Sequence, residues 1–204
     1  MKISLVAAAI CGLAIPAFSD VNLSTGVAAY TVVEQNGFNL GATTTATEVT
    51  PSDADWFGGW VANSASSVWV AYDPNNAYDN GLGNYSTTFT LTSLNLSEAT
   101  ISGSWTLDDG GSLFLNGHDI GDLSGAWGSL NPFSVAAGSS DFVSGTNTLS
   151  IDITSSDVYL EGVNLQGSLT FVSSTVPEPS TFIPLVAGLG LMITAAQRRK
   201  AFQR

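Results

Sequence analysis

The stretch Ile101-Ser-Gly-Ser-Trp105-Thr-Leu-Asp108-Asp109-Gly-Gly-Ser-Leu113-Phe114-Leu115-Asn116-Gly117 decides the fold. Apolar side chains recur there at alternate positions, as in Trp105 and Leu107 or Leu113 and Leu115. That is the period of a strand with one buried face. Asp108-Asp109-Gly110-Gly111 interrupts the run with residues that favour turns. Asn116-Gly117 closes it, and an Asn-Gly pair accepts the positive φ angles of a two-residue hairpin turn. The stretch reads strand, acidic turn, strand, tight turn, without the spacing of an amphipathic helix.

The same pattern continues on both sides. It predicts strands at 27–33, 67–72, 85–93, 100–107, 112–116, 147–154, 158–163 and 166–172. Alternation is cleanest in Thr87-Thr88-Phe89-Thr90-Leu91 and Leu149-Ser150-Ile151-Asp152-Ile153. Turn-forming clusters at 73–83, 108–111 and 116–117 separate the runs, whereas residues 20–66 are less regular. Short alternating strands with few helix formers predict an all-β domain, a jelly-roll β-sandwich. Downstream of Leu115-Asn116-Gly117 come Phe142 and Gly145-Thr146-Asn147-Thr148-Leu149. This combination resembles the galactose-binding-domain-like jelly roll, in which a strand ending in Leu-Asn-Gly precedes a Gly-x-Asn-x-Leu strand. The resemblance covers residues 85–172, and its motifs are structural, so they speak to fold rather than function.

The two ends of the chain have a different chemistry. The last segment carries a stiff Pro177-Glu178-Pro179, an apolar run at 182–196 and a basic cluster, Arg198-Arg199-Lys200. As a helix the run is roughly 23 Å long at ~1.5 Å per residue. It crosses a hydrocarbon core of ~30 Å if Thr181, Thr194 and Gln197 sit at the interfaces and the arginines reach the headgroups. The cationic end then stays cytoplasmic. The three blocks in this order resemble the PEP-CTERM sorting signal of Gram-negative bacteria. The resemblance implies recognition by an exosortase in the inner membrane and processing near Pro-Glu-Pro. It also implies delivery to the cell surface or extracellular matrix, often in association with exopolysaccharide. At the other end, Lys2, an apolar run at 3–15, Pro16 and the small residues of Ala17-Phe18-Ser19 read as a secretory signal peptide cut before Asp20. The expected organisation is a signal peptide at 1–19, a β-sandwich at 20–175, and a sorting signal with one transmembrane helix and a basic tail at 176–204.

Charge excludes several functions. All five Lys and Arg residues lie at Lys2, Arg198, Arg199, Lys200 and Arg204, and every acidic residue except Glu178 lies between the two end segments. Nucleic acids and phosphate ligands need cationic side chains, so neither is a partner. A buried carboxylate in such a domain must rely on backbone N–H groups, on protonation or on a cation. Calcium is the candidate ion, with Asp73, Asp79, Asp108 and Asp109 as candidate ligands and Glu161 beside them. The loop at 73–81 departs from the EF-hand pattern at Ala77 and Tyr78. Cys11 is the only cysteine and leaves with the leader, and His118 is the only histidine, so a zinc site lacks ligands.

Exposed aromatic faces stack on sugar rings, and Trp56, Trp60 and Tyr78 are the candidate glycan-binding side chains, with Trp69 and Trp105 expected in the core. These features predict a non-enzymatic exported protein of the surface or matrix whose sandwich is structural or binds exopolysaccharide. The alternative is a secreted hydrolase acting on polysaccharide, which requires two carboxylates about 5–10 Å apart in a cleft.

Overall fold

A computed structural model describes residues 17–35, 40–75, 82–155 and 160–173. Residues 1–16 of the leader expected at 1–19, and the expected sorting helix and basic tail, lie outside these residues, whereas residues 17–19 of that leader form the start of a strand paired with residues 171–173. The described chain forms twelve strands in two antiparallel sheets that enclose one main core, a jelly-roll β-sandwich without a helix among the described residues.

In the first sheet, β10 (Asn131–Val135) pairs with β7 (Thr100–Asp108), β7 with β12 (Gly162–Ser173), β12 with β5 (Val70–Ala71), and β5 with β4 (Thr47–Glu48). The first strand, β1 (Ala17–Asn22), also lies along β12, with Asp20 opposite Thr170 and Asn22 opposite Ser168. The second sheet runs β3 (Thr43–Thr45), β2 (Thr31–Glu34), β6 (Gly83–Leu91), β11 (Gly145–Ser155), β8 (Gly110–Leu115) and β9 (His118–Ser124).

Alternation sends one side chain of each pair inward. Tyr85, Phe89 and Leu91 of β6 and Leu149, Ile151 and Ile153 of β11 are buried, as are Leu113 and Leu115 of β8. From the opposite sheet come Ile101, Trp105 and Leu107 of β7 and Val163, Leu165 and Leu169 of β12. The two most regular stretches of the sequence are neighbours, with Leu149 opposite Thr87 and Ile151 opposite Tyr85. Trp69 and Trp105 are core residues, at 0% and 1% exposed.

Asn116 and Gly117 have φ angles of 53° and 81°, the left-handed pair of a tight hairpin turn joining β8 to β9. The two asparagines of the paired motifs meet here. Asn116 Nδ2 donates to Asn147 Oδ1 at 2.8 Å, and Asn116 Oδ1 accepts from the Thr148 amide at 2.8 Å. Asn147, fully buried, also ties both backbone groups of Val143. Leu-Asn-Gly and Gly-x-Asn-x-Leu are thus two halves of one lock between β8 and β11.

Three expectations need correction. The strand expected at 27–33 starts at Thr31, because Gly26 (φ 81°) opens a turn closed by Ala28 N donating to Ser24 O at 2.8 Å. The strand expected at 67–72 is confined to Val70–Ala71. The separate strands expected at 158–163 and 166–172 are a single β12, which begins at Gly162 after Leu160 in a left-handed conformation. Gly167 lies inside β12 opposite Gly103 of β7 and marks no turn: an added Cβ at Gly167 would meet Leu165 Cδ2 at 2.9 Å, and one at Gly103 would meet Gln166 O at 2.1 Å. Residues 156–159 are outside the described set.

Candidate functional site

The β7–β8 junction carries two of the calcium candidates. Asp108 ends β7 and is 7% exposed. Its Oδ2 accepts a hydrogen bond from Trp60 Nε1 at 2.7 Å. The Trp60 ring lies flat on Trp69, with centroids 4.1 Å apart and planes 14° apart. Trp69 Nε1 in turn donates to Val61 O at 2.7 Å. Together with Val49 and Ala71 these indoles make a second, smaller core. Trp60, expected to be exposed beside Gly58 and Gly59, is therefore buried at 5% exposed. A buried carboxylate for its N–H and a stacked partner for its ring account for the difference. Trp56 meets Trp60 edge-on at 5.8 Å and is half-buried, and exposed Phe57 meets half-buried Trp127 at 6.3 Å. These three rings give the solvent-facing aromatic surface of this end. Tyr78 and Asp79 lie outside the described residues.

The other acids are dispersed. The Asp109 backbone oxygen accepts from the Gly125 amide at 2.6 Å. Asp73 Oδ1 accepts from the Asn75 amide at 2.9 Å, a local turn of the kind aspartate favours. Among the described residues no three His, Cys, Asp or Glu side chains already converge as a metal cluster. A different set of carboxylates is the most desolvated: Glu34, Asp55 and Glu161, at 1%, 0% and 0% exposed. All three act on the Tyr85 hydroxyl. Burial pushes that phenol well above its usual range, Glu34, Asp55 and Glu161 push it further, and the Tyr72 backbone opposes them. Neither Glu34 nor Asp55 was expected to matter. For Glu34 a signal exists, because it shares the inward phase of Val32 in β2.

His118 stands at the start of β9 with its side chain 62% exposed and Nδ1 3.7 Å from Asp141 Oδ1. The Ser139 hydroxyl bonds to Asp141 Oδ2 at 2.8 Å. That places the serine on the carboxylate, whereas a nucleophilic serine must bond to the imidazole.

The outward face of the first sheet holds a groove of about 560 Å³. Its floor is two tripeptides in register, Ser102-Gly103-Ser104 of β7 against Gln166-Gly167-Ser168 of β12. Asn22 of β1 continues the row beyond Ser168, and Asp20 stands at the rim with its Oδ1 accepting from Thr170 Oγ1 at 2.8 Å. Ala65 and Ser66 contribute a wall. No aromatic or cationic side chain lines the groove.

Residues 175–200 match the family model described as the PEP-CTERM protein-sorting motif. The motif marks a secreted, membrane-processed protein of Gram-negative bacteria. No curated protein matches the chain. Solved structures similar to it include the CBM36-1 domain of a multidomain xylanase from the hindgut metagenome of Trinervitermes trinervoides. The two are 10% identical, with 78% of this chain and 100% of that chain covered, at a TM-score of 0.39. Another is the CBM35 from Cellvibrio japonicus Abf62, 20% identical over 77% of this chain and 95% of that one, with a TM-score of 0.39. A third is the GH2 beta-galacturonidase from Eisenbergiella tayi bound to galacturonate, 11% identical with a TM-score of 0.45. There 76% of this chain matches, and it spans only 24% of the enzyme's length.

Proposed function

We propose that this is a non-enzymatic protein of the bacterial surface or extracellular matrix, released to its destination by an exosortase and binding exopolysaccharide through its β-sandwich. The observation that carries the reading is the sorting motif at 175–200, which begins two residues after β12 ends at Ser173. A β-sandwich joined to a surface-sorting signal has matrix polysaccharide as its natural surroundings. Half-buried Trp56 and Tyr78 are the candidate stacking side chains. Processing falls near Pro177-Glu178-Pro179, with Arg198, Arg199 and Lys200 holding the tail at the cytoplasmic side until cleavage.

Calcium belongs to this reading as a structural ion. Its support is charge: Glu34, Asp55 and Glu161 are buried in a domain whose described residues include no Lys or Arg. Hard carboxylate oxygens of this kind suit calcium, and Asp73, Asp79, Asp108 and Asp109 are the further candidate ligands.

Thermal melting of the processed protein tests both parts. A ligand bound only by the folded state raises stability by RT ln(1 + [L]/Kd). The midpoint should rise with at least one exopolysaccharide, and should fall when calcium is removed by chelation. A midpoint indifferent to every polysaccharide would refute the binding role, and one indifferent to chelation would refute the ion.

A further inference from the structure

The groove on the first sheet gathers outward polar side chains around one concave space. Outward polar side chains of an antiparallel sheet normally meet water or one another. On the second sheet some of them meet one another: Thr31 Oγ1 lies 3.1 Å from Ser86 Oγ, Asn84 bonds to Asp152, and Ser112 bonds to Asp122, while Thr88 and Thr148 stand opposite each other with neither side chain engaged. On the first sheet Ser102, Ser104, Gln166 and Ser168 are cross-strand neighbours, yet none of their side chains is engaged by another described residue. Four uncommitted hydroxyl and amide groups therefore point into one concave volume. Its about 560 Å³ falls within the roughly 300–1,000 Å³ usual for ligand sites.

The chemistry of the lining selects the ligand. Hydroxyls and amides both donate and accept, which matches the hydroxyl groups of a sugar chain. The only charged side chain in the lining is the Asp20 carboxylate at the rim, where cleavage before Asp20 also leaves the terminal amine, and no described residue is Lys or Arg. A uronate or sulfated polymer would meet this carboxylate with no cationic side chain to compensate it. An apolar ligand would find no apolar wall beyond Ala65 and the glycines.

We propose that this groove is the polysaccharide site, and that it takes a neutral glycan chain held by hydrogen bonds from Ser102, Ser104, Gln166 and Ser168. The proposal rests on the carbohydrate-binding reading above and adds to it the place of binding and the class of polymer.

The test is affinity electrophoresis and calorimetric titration of the processed protein. The probes are a β-glucan, a galactan and a mannan as neutral polymers and polygalacturonate as an anionic one. Binding to at least one neutral polymer is expected, with none to polygalacturonate. Gln166→Ala should weaken that binding about tenfold, the cost of one lost hydrogen bond. Ser102→Trp should abolish it by filling the groove. Both side chains point outward, so melting should stay within about 2 °C of the parent. Neutral binding that survives both variants but is lost in Trp56→Ala would overturn the groove and leave the surface-binding function standing. Binding to polygalacturonate alone would overturn the class of ligand. No binding to any of the four polymers would overturn the proposal together with the reading beneath it.

Discussion

Asn147→Ala should cost this domain about 3 kcal/mol, reckoned from four hydrogen bonds at ~1 kcal/mol each and some relief by water. The four bonds are short and converge on a residue with no exposed surface. Asn147 Nδ2 donates to Val143 O at 2.8 Å and to Gly145 O at 3.1 Å. Its Oδ1 accepts from the Val143 amide at 2.9 Å and from Asn116 Nδ2 at 2.8 Å. The relief comes from Val143, which is 42% exposed, so that water reaches part of the opened loop. With a urea slope of ~2 kcal/mol/M, the midpoint should fall by about 1.5 M at unchanged slope. The bond to Asn116 is shared, so the double variant with Asn116→Ala should be less destabilised than the sum of the singles, by about 1 kcal/mol. A midpoint within about 0.25 M of the parent, or strict additivity, would show that the paired asparagines do not lock β8 to β11.

Two further outcomes follow from the packing. Trp60→Phe keeps an aromatic ring on Trp69 but removes the N–H that Asp108 accepts, which should cost about 1.5–3 kcal/mol by chemical denaturation. Trp60→Ala should cost about 3–5 kcal/mol, and an equal, negligible effect of both changes would contradict the burial of this ring. Burial holds the Tyr30 and Tyr85 phenols protonated far above their usual range. In the unfolded chain they titrate near ~10, so above that pH the folded state binds more protons and stability falls, whereas below it their contribution is fully present. Alkaline titration followed by phenolate absorbance should leave two of the five tyrosines un-ionised until the domain unfolds. Ionisation of all five while circular dichroism stays native would contradict it.

Much of the sandwich was legible because its central strands are long and buried on one face. Tyr85, Thr87, Phe89 and Leu91 face inward at every second position, and so do Leu149, Ile151 and Ile153. The strands that escaped notice lie mostly at edges. His118–Ser124 carries Asp119, Gly121 and Asp122 and is exposed along much of its length. Asn131–Val135 contains Pro132, which an edge strand tolerates because it needs no full ladder. The Asn116-Gly117 turn did announce that a partner strand must follow, and that signal outweighs the polar composition of β9. Trp60 was misplaced for another reason. Its partners, Asp108 and Trp69, are set by tertiary contact, and local sequence showed only flanking glycines. The groove needed three strands in register, with residues 102–104, 166–168 and 22 side by side, and strand pairing of that range is not written in any local pattern.

The account stands most directly on the sorting signal. Surface labelling and fractionation should therefore compare the full chain with a variant in which Pro177, Glu178 and Pro179 are all replaced by alanine. The account predicts that the parent appears processed at the cell surface or in the matrix, while the variant accumulates as an unprocessed precursor in the inner membrane. Equal processing and equal surface display of the two would contradict it.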